Sequence, residues 1–468
     1  MDHHQLFPAG DRKVETCVIG TGSFGRSYLA QARRVPRMSA RVAIDVDART
    51  AAGVLRDIGI EARRVQICST ATEARSAWAA GDCIAADDLA VVLDLPIEVV
   101  VEATGHPEAA VRHAVLAIEA GRHVVMVSKE ADVVVGPGLA ARAAEKGLIV
   151  TPVDGDQPSL LIGLVSWSEV LGFDVIAAGK SSECDFVFDA ASGRLESNGV
   201  VVEAPQLRSL WTLGAHDVAE VVAARSQAAS ALPQRVVADR CELAIVANAT
   251  GLGVDRPDLH APVARPVEIA DIFALKRNGG LLSGPRKLDV FNCLRAPNEA
   301  SFAGGVFVLL ACNDRPSWDL LAGKGHVVSR DGSTAMVYLP RHLLGLEAAT
   351  SVLDAALNRR STGAKTPRPH LDLIARATKA LPAGIVLTMG GHYHTIDGVE
   401  GELQPGAPLG AATPVPFYLA ANQRLARSVL AGAPIVLADI EIDAGSMLLA
   451  ERKRQDEHFF GGRRSRRS

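Results

Sequence analysis

The residues best suited to chemistry begin at Gly20-Thr21-Gly22-Ser23-Phe24-Gly25, which follows the short apolar run ending at Ile19 and opens an amphipathic segment, Ser27 to Arg34. Gly20 permits a sharp turn after a strand, Gly22 lets backbone approach a diphosphate, and Gly25 lets the next helix pack close to a sheet. The helix N-terminus offers unpaired N–H groups and a positive dipole end to that diphosphate. A second apolar run, Val42-Ala43-Ile44, ends in Asp45, twenty residues after Gly25. That is the place of a ribose-binding acid. A carboxylate there accepts hydrogen bonds from a ribose 2′-hydroxyl and repels a 2′-phosphate, so the cofactor reads as NAD or NADP with NAD favoured. Asp47 could share the role, and Arg49 could turn towards a phosphate.

Moving a hydride also requires a group that handles the proton on the substrate oxygen. Lys180 follows Gly179 at the end of the strand Val175 to Ala178, where an apolar cleft could tune it for proton transfer. Asp154 and Asp156 flank Gly155 at a domain junction. They could hold a divalent metal or orient Lys180, or they could form an Asx turn and a helix cap. Thr104-Gly105 ends a strand and suits a cofactor contact or a plain turn; His106, before Pro107, suits an acid, a base or a cap. His392 and His394 would share one face of a strand, but no third ligand is near, and they read as surface or turn residues.

These residues need a framework, and the chain alternates short β-branched runs with alanine-rich helical segments as far as residue 153. The strands are expected at Val65 to Cys68, Glu98 to Thr104, His123 to Ser128 and Leu148 to Val153. Helices are expected at Thr70 to Ala80, Pro107 to Ala120 and Gly138 to Lys146. This is the pattern of an α/β, doubly wound parallel sheet. Residues 1–153 form the NAD(P)-binding Rossmann domain, and residues 154–360 an α+β substrate domain. Leu343 to Leu357 reads as helical and packs back on the first domain. Ser361 to Pro369 reads as a linker, and residues 371–449 as a small β-rich accessory module with an internal echo: Ala377 to Leu387 resembles Leu425 to Val436. Residues 450–468 read as a basic tail, disordered at its end. A chain ending near Gly363 is therefore expected to keep its cofactor affinity.

At 468 residues, 48% hydrophobic, the chain can bury a sizeable core. A net charge of −4 gives no reason to expect a nucleic-acid partner, and no apolar run is long enough for a membrane span. Seven scattered cysteines without a CxxC pair fit a reducing compartment, and the expected location is cytoplasmic. The expected partners are a small-molecule substrate and further copies of the chain in a homo-oligomer.

With the fingerprint, Val99-Val-Val-Glu-Ala-Thr-Gly105, Val124 to Asp132, Asp154 to Ser159 and Ala177 to Lys180 in order, the chain resembles the homoserine dehydrogenase-like oxidoreductases with a C-terminal SAF domain. Ala247-Asn-Ala-Thr-Gly-Leu252, Gly304 to Val308 and Pro340 to Gly345 extend the resemblance, and the echoed tail segments resemble the SAF module. The resemblance implies a hydride transfer to or from a small polar hydroxy or carbonyl compound, phosphorylated or not, and places Lys129 near the nicotinamide. One branch is 1-deoxy-D-xylulose 5-phosphate reductoisomerase-like, using NADPH and a divalent metal. A further alternative is a non-catalytic dinucleotide-binding sensor or assembly protein. The chain departs from the family in one respect: the lysine expected before Ala247 is absent, and the region reads Gln234 to Glu242 with Arg240. A guanidinium does not release a proton near neutral pH.

Overall fold

A computed structural model describes residues 2–391 and 393–461. In the first domain, β1 (Val14–Ile19) leads into α1 (Ser23–Ala32). The strands β2 (Met38–Ile44), β3 (Val65–Ile67), β4 (Cys83–Ala86), β5 (Val99–Glu102), β6 (His123–Met126) and β7 (Val150–Pro152) follow. They form one parallel sheet in the order β3-β4-β2-β1-β5-β6-β7. Strand order reverses beside β1, so a crevice opens beyond the carboxyl ends of β1 and β5, where doubly wound sheets bind ligands. Both faces are covered, which is why these strands are nearly continuous apolar runs instead of alternating ones.

The connection from β5 to β6 is α2 (Pro107–Glu119), and from β6 to β7 it is α3 (Lys129–Glu145). The sequence expectation starts this last helix at Gly138, because Val133-Val-Val135 and Gly136-Pro-Gly138 are poor helix formers. The structure starts it at Lys129 instead. Burial decides: residues 133–139 are enclosed on all sides, and tertiary packing outweighs the propensity penalty.

The second domain opens with α4 (Gln157–Val170) and a mixed sheet built on β8 (Val175–Ser181). Beside it lie β9 (Phe186–Asp189), β10 (Arg194–Ser197), β11 (Val200–Glu203), β12 (Lys287–Arg295), β13 (Val306–Ala311) and β14 (Thr334–Leu339), in the order β11-β10-β9-β12-β8-β13-β14. The alanine-rich stretch from 218 to 246 is two helices, Val218–Ala228 and α5 (Val237–Thr250), and α5 packs on α3 and α4. The segment 344–358 is helical in three short pieces and covers one face of the first sheet with Ala348, Val352, Leu353 and Ala356.

The C-terminal module has a small antiparallel sheet, β15 (Leu371–Ala377), β18 (Val399–Pro405), β17 (Thr395–Ile396) and β16 (Met389–Gly390), in that order across the sheet. Its two echoing segments pair with each other: Leu381 and Val429 exchange reciprocal backbone hydrogen bonds, and Gly384 N donates to Leu425 O. The tail expected from 450 onward is instead helical up to residue 460, within α6 (Met447–Phe460), and Leu448, Glu451, Arg452, Gln455 and Asp456 are buried. The rest of that tail, from residue 462, lies outside the described residues. Arg452 explains the docking: it makes a two-pronged pair with Asp372 at 2.8 Å and bonds Asp456 at 2.9 Å, while Arg142 of α3 pairs with Glu451.

Candidate active site

The glycine-rich turn has the shape its sequence requires. Gly20 has φ +91°, and a Cβ there would lie 2.4 Å from Ala103 O; a Cβ on Gly25 would lie 2.0 Å from Gly20 O. Any side chain at either position would force the strand, the turn and the helix apart. A Cβ on Gly22 meets nothing within 4 Å, so its backbone is open to the crevice. Gly22 is also the N-cap of α1 and supplies no side-chain hydrogen bond. The first amides of α1 are thus left for a ligand, and the residues fit a dinucleotide diphosphate. Ser23 begins the helix, exposed, and Phe24 packs its backbone under Gly345.

Asp45 follows β2 and accepts hydrogen bonds from Thr21 N at 2.8 Å and Thr21 Oγ1 at 2.5 Å. The loop that would take the diphosphate therefore also orients the acid expected at the ribose. Asp47 is used elsewhere, capping the helix Ala48–Asp57 through Arg49 N. At the end of β5, Thr104 Oγ1 donates to Glu102 at 2.7 Å, and Gly105, with φ +68°, donates its N–H to Ser128 Oγ at 2.8 Å. His106 caps α2 through Ala109 N.

The two lysines meet at one carboxylate. Lys129 Nζ binds Glu242 Oε1 and lies 3.4 Å from Asp156 Oδ2; Lys180 Nζ binds Glu242 Oε2 and lies 2.7 Å from Asp239 Oδ1. Ser182 Oγ donates to the other oxygen of Asp239 at 2.6 Å. Asp239 and Glu242 stand three residues apart on α5, hence on one helical face. Burial alone would depress the pKa of each lysine, but the facing carboxylates outweigh it and hold both above the ordinary value. Burial would raise Glu242, yet the two ammonium groups hold it down at about 2. The cluster is charged and internally matched.

Several expectations change here. The sequence places Lys180 at an open strand end, whereas β8 runs on to Ser181 and the lysine is 1% exposed. Gly179 does not open the backbone: a Cβ there would lie 2.1 Å from Asp289 O and 2.7 Å from Phe307, so the glycine serves strand packing. Asp156 caps α4 through Gln157 N and turns its other oxygen to Lys129, not to Lys180. Asp154 is drawn away from both lysines and accepts Thr350 Oγ1 at 2.7 Å. No group of three or more His, Cys, Asp or Glu side chains suited to a metal ion occurs among the described residues. Arg240 does not take the place of the missing lysine, because its guanidinium donates to Gly401 O at 2.6 Å under the C-terminal module.

Asp239, Glu242, Ser182 and Glu130 are absent from the sequence-derived candidates. Glu242 lay inside the stretch searched for a lysine, and the signal was present as two acids at helical spacing within a largely apolar helix. His394 lies in a turn, as expected, but its side chain is turned inward: Nε2 lies 3.3 Å from Glu130 and Nδ1 lies 2.7 Å from Tyr418 Oη. His392 lies outside the described residues.

Residues 21–151 match the family model of the homoserine dehydrogenase NAD binding domain, and residues 237–348 that of the catalytic domain of oxidoreductase DRL. Both end before the C-terminal module, so the likeness of that module to SAF domains rests on its echoed segments alone. A search of curated proteins finds no match. Among solved structures, GenD2 from gentamicin A biosynthesis, in complex with NAD, is 15% identical with a TM-score of 0.35, over 75% of this chain and 89% of its own. A DOX-P reductoisomerase is 17% identical with a TM-score of 0.27, over 36% of this chain and 46% of its own. A levoglucosan dehydrogenase in complex with NADH and L-sorbose is 18% identical with a TM-score of 0.26, over 39% and 44%. The chain thus spans less than half the length of the last two. No helix among the described residues is long and apolar enough to cross a membrane. Two segments of the chain thus match oxidoreductase family models, residues 21–151 a homoserine dehydrogenase-type NAD-binding domain and residues 237–348 a DRL-type catalytic domain.

Proposed function

We propose that the protein transfers a hydride between NAD(H) and a small polar hydroxy or carbonyl compound, with Lys129 meeting the substrate oxygen. The observation that carries this is the difference between two lysines bound to one carboxylate. The Lys129 side chain is 24% exposed at the start of α3, next to the crevice, whereas Lys180 is enclosed. Lys129 is fixed by Glu242 and Asp156, so its ammonium is oriented before substrate arrives. When bound, the cofactor supplies or accepts the hydride. Charge developing on the substrate oxygen is then stabilised by a cation that needs no reorganisation. Lys180 and Asp239 hold Glu242 in register and act as positioning residues.

The preference for NAD is inferred from Asp45, which Thr21 holds at the end of the second strand, where doubly wound folds carry their ribose-binding acid. A reductoisomerase-like activity gains no separate support from the described residues. A sensor without chemistry has less need of a pre-oriented, partly exposed lysine. Homo-oligomerisation belongs to this proposal too, and light scattering of the purified protein checks it. The function itself is tested by following nicotinamide absorbance across hydroxy acids, amino alcohols and sugar phosphates. Substrate-dependent change that Lys129→Met abolishes supports the reading, and silence across all three classes with both cofactors counts against it.

A further inference from the structure

Glu130 is a buried acid that the reading above does not use. It is 6% exposed and follows Lys129 directly, and its Oε1 lies 3.9 Å from where a Cβ on Gly105 would stand. Gly105 ends β5 at the crevice, so the carboxyl borders the region assigned to the cofactor. The groups around Glu130 come from every neighbouring element. Lys129 lies on its own helix, Glu102 on β5, Asp156 at the start of α4 and Cys241 on α5, with His394 and Tyr418 from the C-terminal module. Tyr418 is 1% exposed, contacts the His394 ring edge-on and hydrogen-bonds Nδ1, which fixes the imidazole with Nε2 towards Glu130.

We propose that Glu130 and His394 form the proton-exchanging couple of this site, so that the C-terminal module supplies half of a catalytic relay. In alcohol oxidation the substrate C–H bond breaks and its hydride passes to the oxidised nicotinamide. The O–H bond breaks as the C=O bond forms, and the proton passes to the Glu130 carboxylate. Glu130 has little access to solvent, and the proton leaves it through His394 Nε2, whose side chain is 21% exposed. Reduction runs the same steps backwards. Lys129 serves poorly as the proton store because two carboxylates hold its proton tightly, whereas burial raises Glu130 to about 7, near the pH at which exchange is easiest in both directions. Tyr418 is a positioning residue for His394.

The proposal rests on the dinucleotide reading and is tested by binding, without a substrate. An ionised carboxylate at the crevice favours the cationic ring of NAD⁺ over the neutral ring of NADH. The full chain is titrated with NAD⁺ and NADH between pH 5.5 and 8.5, and the NADPH pair is run in parallel. In the wild type the NAD⁺ affinity relative to NADH should rise about fivefold or more as pH increases through 7, a modest coupling between two sites. Glu130→Gln should abolish the rise. His394→Gln should move its midpoint by removing the Nε2 contact with the carboxylate, and Tyr418→Phe should move it less. A ratio flat with pH in the wild type, or identical in wild type and His394→Gln, overturns the relay while leaving the dinucleotide reading intact. Failure of all four nucleotides to bind at any pH overturns both.

Discussion

Gln455 repairs the backbone of a helix to which it does not belong: its Oε1 accepts the N–H of Gly138 at 2.8 Å, and its Nε2 donates to Val134 O at 3.1 Å. Those two backbone groups would ordinarily bond each other within α3, and Pro137 lies beside them in the same helix. A proline in a helix interior removes a donor and distorts the turn before it. One amide from α6 satisfies both groups left open, which ties the end of the chain to the helix that begins with Lys129 and Glu130.

Gln455→Ala should therefore destabilise the protein by about 1–3 kcal/mol, the cost of leaving buried backbone groups unpaired. Gln455→Glu should lose part of this, since it cannot donate to Val134 O. Urea unfolding at fixed pH measures both. A chain stopped after Gly363 leaves the same gap in α3 open and deprives Glu108 and Arg142 of their partners Met447 and Glu451. Contrary to the expectation for an accessory module, it should lack a cooperative calorimetric transition. A sharp transition with full NADH affinity would show that the module is dispensable.

The two lysines should separate stability from turnover. Lys180→Met leaves Asp239 and Glu242 buried without their shared cation. Breaking such a pair costs about 3–5 kcal/mol, so this variant should fold poorly. Lys129→Met removes the more exposed partner while Lys180 still neutralises Glu242. It should fold and bind cofactor, with turnover lowered about 10²–10⁴-fold. Thermal unfolding and steady-state rates on the substrate found by screening decide; the reverse pattern would return the role to Lys180.

Asp45→Ala should weaken NAD more than NADP, because it removes an attraction for a ribose hydroxyl and a repulsion against a phosphate. Thr21→Val should act in the same direction and less strongly. It deletes the hydroxyl bonded to Asp45 but keeps the Thr21 N–H bond. Calorimetric titration with both cofactors gives the ratio, and NADP binding tighter than NAD in the wild type would refute the assignment.

Asp132 on α3 borders a small cavity with Thr151, Asn248 and Pro367, and its carboxyl folds against Gly136 with no described residue donating to it. Burial raises its pKa from 3.8 to about 7. For an acid held above its unfolded value, the contribution to stability is complete below about pH 4 and is lost as pH rises through 7. Asp132→Asn should flatten that loss and leave the protein more stable at pH 8, on the order of 2–4 kcal/mol. A stability profile unchanged between pH 4 and 8 would show that the carboxyl is not strained.

The first domain was legible because its signals are local. Gly20, Gly22 and Gly25 act through backbone geometry within a few residues, and Asp45 follows from the length of one strand-helix-strand unit. The cofactor class and the parallel sheet therefore depend on short-range chemistry alone. Lys129 was reachable only by family resemblance. Asp154 and Asp156 were legible as a junction, but not as to which lysine each one serves.

Tertiary structure decided the rest, since those interactions join residues that sequence proximity does not connect. Lys129 and Glu242 are 113 residues apart and Lys180 and Glu242 are 62 apart, so the shared carboxylate exists only once α5 packs between two domains. Burial also separated the two lysines: the strand that carries Lys180 closes over it, while the helix start leaves Lys129 partly open. The same long-range packing extended a helix from Gly138 back to Lys129 against local propensity, turned residues 450–460 from a tail into part of a strap, and brought His394 to Glu130. Propensity and spacing record what a segment prefers alone, whereas these positions were fixed by buried contacts that form only between segments.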